Sequence, residues 1–215
     1  MMSAVRHVMR RRAALRERFD PAREMATIEE TCIPSYLHPN PLAAGVAWMR
    51  LFAAMGLLRR YAPAGTVLDF GAAAGELAHL MSPDRAYEFV EIDTRMAQAL
   101  ERAVPSAVQR DGDALPAAYY AAICALDSLE HNDDVGSIVD RLQPALRADG
   151  VLILSGPTEN ALYRLGRRVA GFSGAYHKTN IYDIEAIVAR SFHVVHRRVV
   201  PFGLGLFSVS CWRPK

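Results

Sequence analysis

The stretch from Thr66 to Met81 constrains the fold more than any other part of the chain. Thr66 to Phe70 is a short apolar run interrupted by Asp69, the pattern of a buried β-strand. The residues that follow, Gly71-Ala72-Ala73-Ala74-Gly75, are all small. Beyond them Leu77, Leu80 and Met81 recur at helical spacing, which predicts a helix opening near Gly75. Strand, small-residue turn and helix together form the unit with which an open α/β sheet binds a nucleotide-like ligand, at the carboxyl ends of its strands. Small side chains let backbone N–H groups and the positive end of a helix dipole approach that ligand.

Spacing narrows the ligand. A dinucleotide fingerprint needs a third small residue for close helix–strand packing, and the pattern placed on Gly71 puts the large, charged Glu76 there. A phosphate-cradling loop needs Gly-Lys-Ser/Thr, which the chain lacks. The segment resembles instead the first motif of class I S-adenosylmethionine-dependent methyltransferases, roughly hydrophobic–Asp–x–Gly–x–Gly–x–Gly. Asp69, Gly71 and Gly75 fall on that pattern, and Ala73 replaces its middle glycine. The departure adds a methyl group where the methionine end of the cofactor would run.

Later segments repeat the resemblance in order, over about residues 65 to 155. Tyr87 to Ile92 reads as a second strand, with Met96, Leu100 and Ala103 as the helical stripe after it. An acid at the end of that strand suits the ribose hydroxyls of an adenosine. Ungapped alignment to the family gives that role to Glu91, with Ile92 beside the adenine, and leaves Asp93 to start the helix. The turn Gly112-Asp113-Ala114 resembles the adenine-binding turn, Asp113 accepting the exocyclic amine and the Ala114 N–H meeting a ring nitrogen. Ala121 to Leu126 is a central strand ending in Asp127-Ser128-Leu129-Glu130-His131, and Asp127 joins the cofactor set. A helix marked by Val135, Ile138, Val139, Leu142 and Leu146 leads to a fifth strand, Val151 to Leu154. Phe192 to Val200 and Leu206 to Trp212 then form a closing hairpin. The resemblance implies a Rossmann-like α/β fold: seven strands, mostly parallel with an antiparallel C-terminal hairpin, and helices on both faces.

At 215 residues and 51% hydrophobic, the chain holds one such domain with additions. Residues 1–64 are expected as an N-terminal helical cap and 65–215 as the methyltransferase domain, with a helical substrate insert near 157–190. The cap begins with Arg6, Arg10, Arg11, Arg12, Arg16 and Arg18 along a stripe of Val5, Val8, Met9, Leu15 and Phe19. It suits a solvated helix packed across the cofactor cleft, with peripheral contact to an anionic membrane surface as a second use. Ile33 to Pro41 is expected as a Pro-punctuated loop, followed by a helix bearing Trp48, Leu51, Phe52, Met55 and Leu58. In the insert, Leu162, Leu165 and Val169 are expected to begin a helix as its apolar stripe, with Tyr163, Arg164, Arg167 and Arg168 on its other face.

Cys32, Cys124 and Cys211 show no metal spacing and read as reduced thiols in a cytoplasmic protein; no metal is expected. No apolar run reaches the roughly 18 residues of a membrane span. The net charge of +2 is neutral on nucleic acid, and no nucleic-acid module or Asn-Pro-Pro-Tyr-like signature is found. The expected activity is methyl transfer from S-adenosylmethionine to an oxygen or nitrogen of a small molecule. Tyr36, His38, Asn160, Tyr163 and Tyr176 are the candidate acceptor-binding residues. For proton removal His177, in the Gly-rich loop, stands ahead of His131, which suits a scaffold role. Two alternatives share the motifs: a nicotinamide-binding oxidoreductase and a non-catalytic adenosylmethionine-binding partner protein.

Overall fold

A computed structural model of the chain describes residues 2–169 and 179–215. Among these residues are seven strands: β1 (Val67–Phe70), β2 (Tyr87–Val90), β3 (Val108–Gln109), β4 (Tyr120–Leu126), β5 (Leu146–Pro157), β6 (Phe192–Val200) and β7 (Phe207–Pro214). They form one sheet in the order β3-β2-β1-β4-β5-β7-β6. The pairings from β3 to β5 are parallel, and β7 runs antiparallel between β5 and β6. The chain order reverses between β1 and β4, which opens a crevice beyond their carboxyl ends where such sheets bind ligands. The hairpin register, Phe192 opposite Pro214 through Val200 opposite Phe207, sets Phe207 beside Pro157 at that same end.

Alternation along the central strands sends successive side chains to opposite faces. Val67, Ala122, Cys124, Val151, Ile153, Val209 and Cys211 meet one layer of helices. That layer comprises α1 (Met2–Arg16), α2 (Pro21–Ile28), α3 (Ile33–Leu37) and α4 (Pro41–Tyr61). On the opposite face Leu68, Ile123, Leu152 and Leu154 meet α6 (Val135–Ala145) and α8 (Ile181–Val188). Phe89 packs with Leu100 of α5 (Thr94–Ala103). Helix α4 is long and apolar enough by length and composition to cross a membrane, but 56% of that window is buried inside the fold. It carries Arg50 at 5% exposure. It is the principal helix of its layer, packed on β5 and β7.

Four sequence expectations change. No α-helix follows the Gly/Ala turn; the crossover to β2 contains a single 3₁₀ turn, Ala78–Leu80. Gly75 has φ +78°, which no right-handed helix can include, and Pro83 bars continuation past Ser82. Leu77 and Leu80 are buried all the same, so their spacing reported burial and not helicity. The expected loop at Ile33 holds the short helix α3, begun by Pro34 in its first turn. Strand β5 is longer than its apolar core, running from Leu146 to Pro157. Finally, in α7 (Ala161–Val169) Leu162 and Leu165 point outward at 45% and 58% exposure. Tyr163 turns inward instead, its ring edge-on to Phe207 at 5.3 Å.

Candidate active site

The turn after β1 is held by its own backbone. Gly71 and Ala72 donate N–H bonds to Val90 O at the end of β2, at 2.9 and 3.2 Å, and Gly75 N–H returns to Ala72 O at 2.9 Å. Gly71, Ala73 and Gly75 all have positive φ, +77°, +47° and +78°. A Cβ at Gly71 would lie 2.4 Å from Ser128 Cβ, and one at Gly75 2.6 Å from Leu100 Cγ. These glycines are therefore demanded by φ and by neighbouring elements, not by space kept for a ligand, which corrects the simplest reading of the motif. Ala73 adopts the left-handed conformation that the family's glycine would supply.

The acids of this side have distinct partners. Glu91 reaches back to the turn: its Oε2 accepts from Ala73 N–H at 2.7 Å and its Oε1 from Asp93 N–H at 2.9 Å. Asp93 caps α5, accepting from the N–H groups of Arg95 and Met96. Ile92 stands 96% exposed at the rim. Asp69 is buried, accepts a 2.7 Å bond from the Tyr87 hydroxyl, and is pushed up to about 7 by burial. Gly112 sits over the ends of β1 and β2, close to Phe70 and Val90. Beside it the Asp113 side chain is 81% exposed, 3.4 Å from Arg141. The Ala114 N–H, expected to meet a ring nitrogen, closes a local turn on Asp111 O at 3.2 Å.

The β4 side is built from side chains. Asp127, at φ +53°, is bound through Oδ2 to Arg50 Nε of α4 and to the Ser155 hydroxyl, both at 2.7 Å. The Arg50 guanidinium lies 4.6 Å from the Phe207 ring centre and donates to Cys32 Sγ at 3.4 Å. Burial pushes the Cys32 thiol up to about 12, so it is an inert thiol. Tyr36 is buried on the same wall. Asn160 starts α7, its Oδ1 accepting from Tyr163 N–H at 2.7 Å, while its amide donates to Gly205 O of the hairpin loop. Glu130 is 1% exposed on the 3₁₀ turn Leu129–His131. Between the cofactor turn and helices α3 and α4 lies a small pocket, lined by Asp69, Gly71 to Ala74, Tyr36, Leu51 and Leu126 among others.

The structure thus gathers Tyr36, Tyr163 and Asn160 with Asp127, and turns His38 away. His38 Nδ1 accepts from Asn40 N–H in a tight turn, and its carbonyl accepts from Arg12. His131 is half-buried beside Glu130. His177 and Tyr176 lie outside the described residues. Two elements escaped the sequence reading. Arg50 sits among apolar residues of α4, and a lone cation there is itself a signal that a buried acid awaits it. Arg11 of α1 makes a bidentate pair with buried Glu76 of the cofactor turn, at 2.7 and 3.0 Å. Arg11, Arg12 and Arg18 bind back onto the fold, and Leu15 and Phe19 are buried, while Val5 and Met9 of the expected stripe are exposed.

A doubly wound sheet with an antiparallel seventh strand, a small-residue turn after β1 and an acid at the end of β2 define a class I methyltransferase architecture. The profile of a family described as a methyltransferase domain matches residues 46–190, and the chain belongs to that family. It is an S-adenosylmethionine-dependent methyltransferase, which decides against the nicotinamide alternative. None of the curated proteins matches it in sequence. Among solved structures it resembles the N-methyltransferase NodS from Bradyrhizobium japonicum in complex with S-adenosylhomocysteine. That match has 16% identity and a TM-score of 0.67, over 90% of this chain and 95% of that one. It also resembles magnesium protoporphyrin IX methyltransferase from Synechocystis with bound S-adenosylhomocysteine. Here identity is 15% and the TM-score 0.63, over 82% and 88% of the two chains.

Proposed function

We propose that this enzyme methylates an oxygen or nitrogen of a small molecule. The carrying observation is the roof: α3 and α4 close the cavity over the cofactor turn with Tyr36, Cys32, Ile33 and Leu51. An opening so covered favours a compact acceptor over a polynucleotide. Residues 1–64 would then act as the cap, latched to the turn by Arg11 and Glu76.

The residues around the turn suit the methyl donor. Gly71 to Ala74 would face its methionine end and Glu91 its ribose, with Ile92 against the adenine and Asp113 at the amine. The cofactor supplies an electrophilic methyl group. The protein's contribution is to hold the acceptor in line with that group and to take up a proton. The Glu91 carboxylate already binds the Ala73 N–H of this turn and the Asp93 N–H, whereas the Asp93 side chain is consumed in capping. Glu91→Ala should therefore weaken S-adenosylhomocysteine binding by roughly 1.5–3 kcal/mol, measured by calorimetry. Asp93→Ala should leave the affinity near wild type and lower stability by about 1 kcal/mol through loss of the cap. The reverse order would move the ribose contact to Asp93. No binding to wild type would end the cofactor assignment.

A further inference from the structure

Three polar atoms within four consecutive residues after β4 are buried and have no hydrogen-bond partner among the described residues: Asp127 Oδ1, Ser128 Oγ and Glu130 Oε2. Leaving such groups unmet costs each of them its lost hydration, so a cluster of them in a native fold calls for a partner, whether water, an ion or a ligand. Ser128 abuts Gly71 of the cofactor turn, which fixes this cluster beside the cofactor side of the crevice. All three atoms can accept a hydrogen bond, and two belong to carboxylates. The two carboxyl oxygens lack a donor, and the Ser128 hydroxyl lacks a partner of either kind.

Charge says which donor. Arg50 is the cation acting on Glu130 and on Tyr163, opposed by the carboxylates of Asp127 and Glu159. Arg50 is already bound to Asp127 at 2.7 Å. Glu130 is thus left without a cation of its own, and burial, then the Asp127 charge, raises its pKa well above the ordinary carboxylate range. On the Arg50 side of this cluster the Phe207 ring already faces the Arg50 guanidinium at 4.6 Å, and Tyr163 stands edge-on to Phe207. A neutral hydroxyl would supply a hydrogen bond but no charge.

Resting on the small-molecule reading above, we propose that the acceptor is a primary or secondary amine and that Glu130 is the residue that receives its nitrogen. The amine enters as an ammonium ion, and as it binds, the buried Glu130 gives up its own proton to solvent and pairs with it as the carboxylate. Glu130 then takes one proton from it, leaving a neutral amine with a free lone pair. That lone pair forms the new N–C bond as the bond from the methyl carbon to sulfur breaks, with its electron pair remaining on sulfur. The product is the methylated ammonium, S-adenosylhomocysteine is neutral at sulfur, and the proton leaves from Glu130 to solvent. Asp127, held by Arg50 and Ser155, offers Oδ1 as the second acceptor for the incoming N–H group.

The test uses the full-length protein saturated with S-adenosylhomocysteine, and titrates ethylamine, benzylamine and phenethylamine against ethanol, benzyl alcohol and phenethyl alcohol by calorimetry. At least one amine should bind about tenfold or more tightly than its matched alcohol, the scale of one charge-assisted hydrogen bond. Glu130→Gln should remove that preference with S-adenosylhomocysteine affinity unchanged. The preferred amine should also release S-adenosylhomocysteine from S-adenosylmethionine in wild type. Equal binding of amines and alcohols overturns the proposal, as does binding of no amine or an amine preference that survives in Glu130→Gln. If the Gln variant does not fold, the wild-type comparison alone decides. Turnover with an alcohol alone would sink the amine assignment while leaving the methyltransferase reading intact; failure to bind S-adenosylhomocysteine would sink both.

Discussion

On the β1–β3 side of the crevice the chain presents backbone, and on the β4–β5 side it presents side chains. The first side is a run of Gly and Ala closed by N–H bonds to Val90 and Glu91. The second is Arg50, Asp127, Glu130 and Ser155 ringed by Tyr36, Tyr163 and Phe207, contributed by α3, α4, α7 and three strands or their ends. A backbone cradle can bind a constant ligand and tolerates few changes, because φ and close packing fix every position. A side-chain pocket can be re-lined without disturbing the turn. The division suits an enzyme whose donor is shared by its family and whose acceptor is its own.

If the two sides are energetically separate, damage to one should spare the other. The largest effect is expected from Arg50→Ala. It strands Asp127 as an unpaired charge at 7% side-chain exposure, and breaking a buried pair in this way costs about 3–5 kcal/mol. Chemical denaturation should show that loss, and adding Asp127→Asn to Arg50→Ala should recover part of it. S-adenosylhomocysteine affinity of the folded fraction should stay near wild type. A parallel collapse of that affinity would mean that the crevice behaves as one unit.

The cofactor side has its own handle in Asp69. Burial holds its carboxyl protonated up to about 7, against an ordinary value of 3.8. Folding therefore takes up a proton between those values. This contribution to stability is complete below about pH 4 and is lost as pH rises through about 7. Since a tenfold change in proton affinity is about 1.4 kcal/mol, wild type should lose about 3–4 kcal/mol more than Asp69→Asn between pH 4 and pH 7. Glu76 and Glu130, also raised by burial, contribute to both proteins and cancel in the difference. Matching pH profiles from denaturant unfolding would show that Asp69 is ionised in the folded state.

The same division explains what could be read from the sequence. The cofactor side is contiguous: a turn that needs positive φ at alternate positions writes Gly at two of them, 71 and 75, and an acid at a strand end lies at a fixed distance downstream. The missing helix shows the limit, since Leu77 and Leu80 keep a helical spacing while Gly75 and Pro83 forbid the helix. The other side depends on contacts distant in sequence. Arg11 meets Glu76 across 65 positions, and nothing near either residue announces the pair. Tyr163 was placed on the polar face of α7, yet Phe207 at the hairpin start draws it inward and leaves the leucines outside. Periodicity locates a stripe; which face turns inward depends on the partner that arrives.

The smallest expected effect tests whether the cofactor turn has kept its geometry at a cost. Ala73 stands where the family pattern has glycine and holds φ +47° all the same. A left-handed conformation costs a non-glycine residue roughly 1–2 kcal/mol. Replacing Ala73 by glycine removes that strain but increases the freedom of the unfolded chain, which takes back about 0.4–1 kcal/mol. The net expectation for Ala73→Gly is a gain of roughly 0.5–1 kcal/mol, read as a rise in denaturation midpoint with an unchanged slope. The Ala73 N–H bond to Glu91 does not involve the side chain and should persist, so S-adenosylhomocysteine affinity should be equal to wild type or modestly higher once the methyl group is gone. A loss of stability would show that the Ala73 methyl makes contacts worth more than the strain it carries. In that case the alanine is a packing residue of the turn and not a strained substitute for glycine.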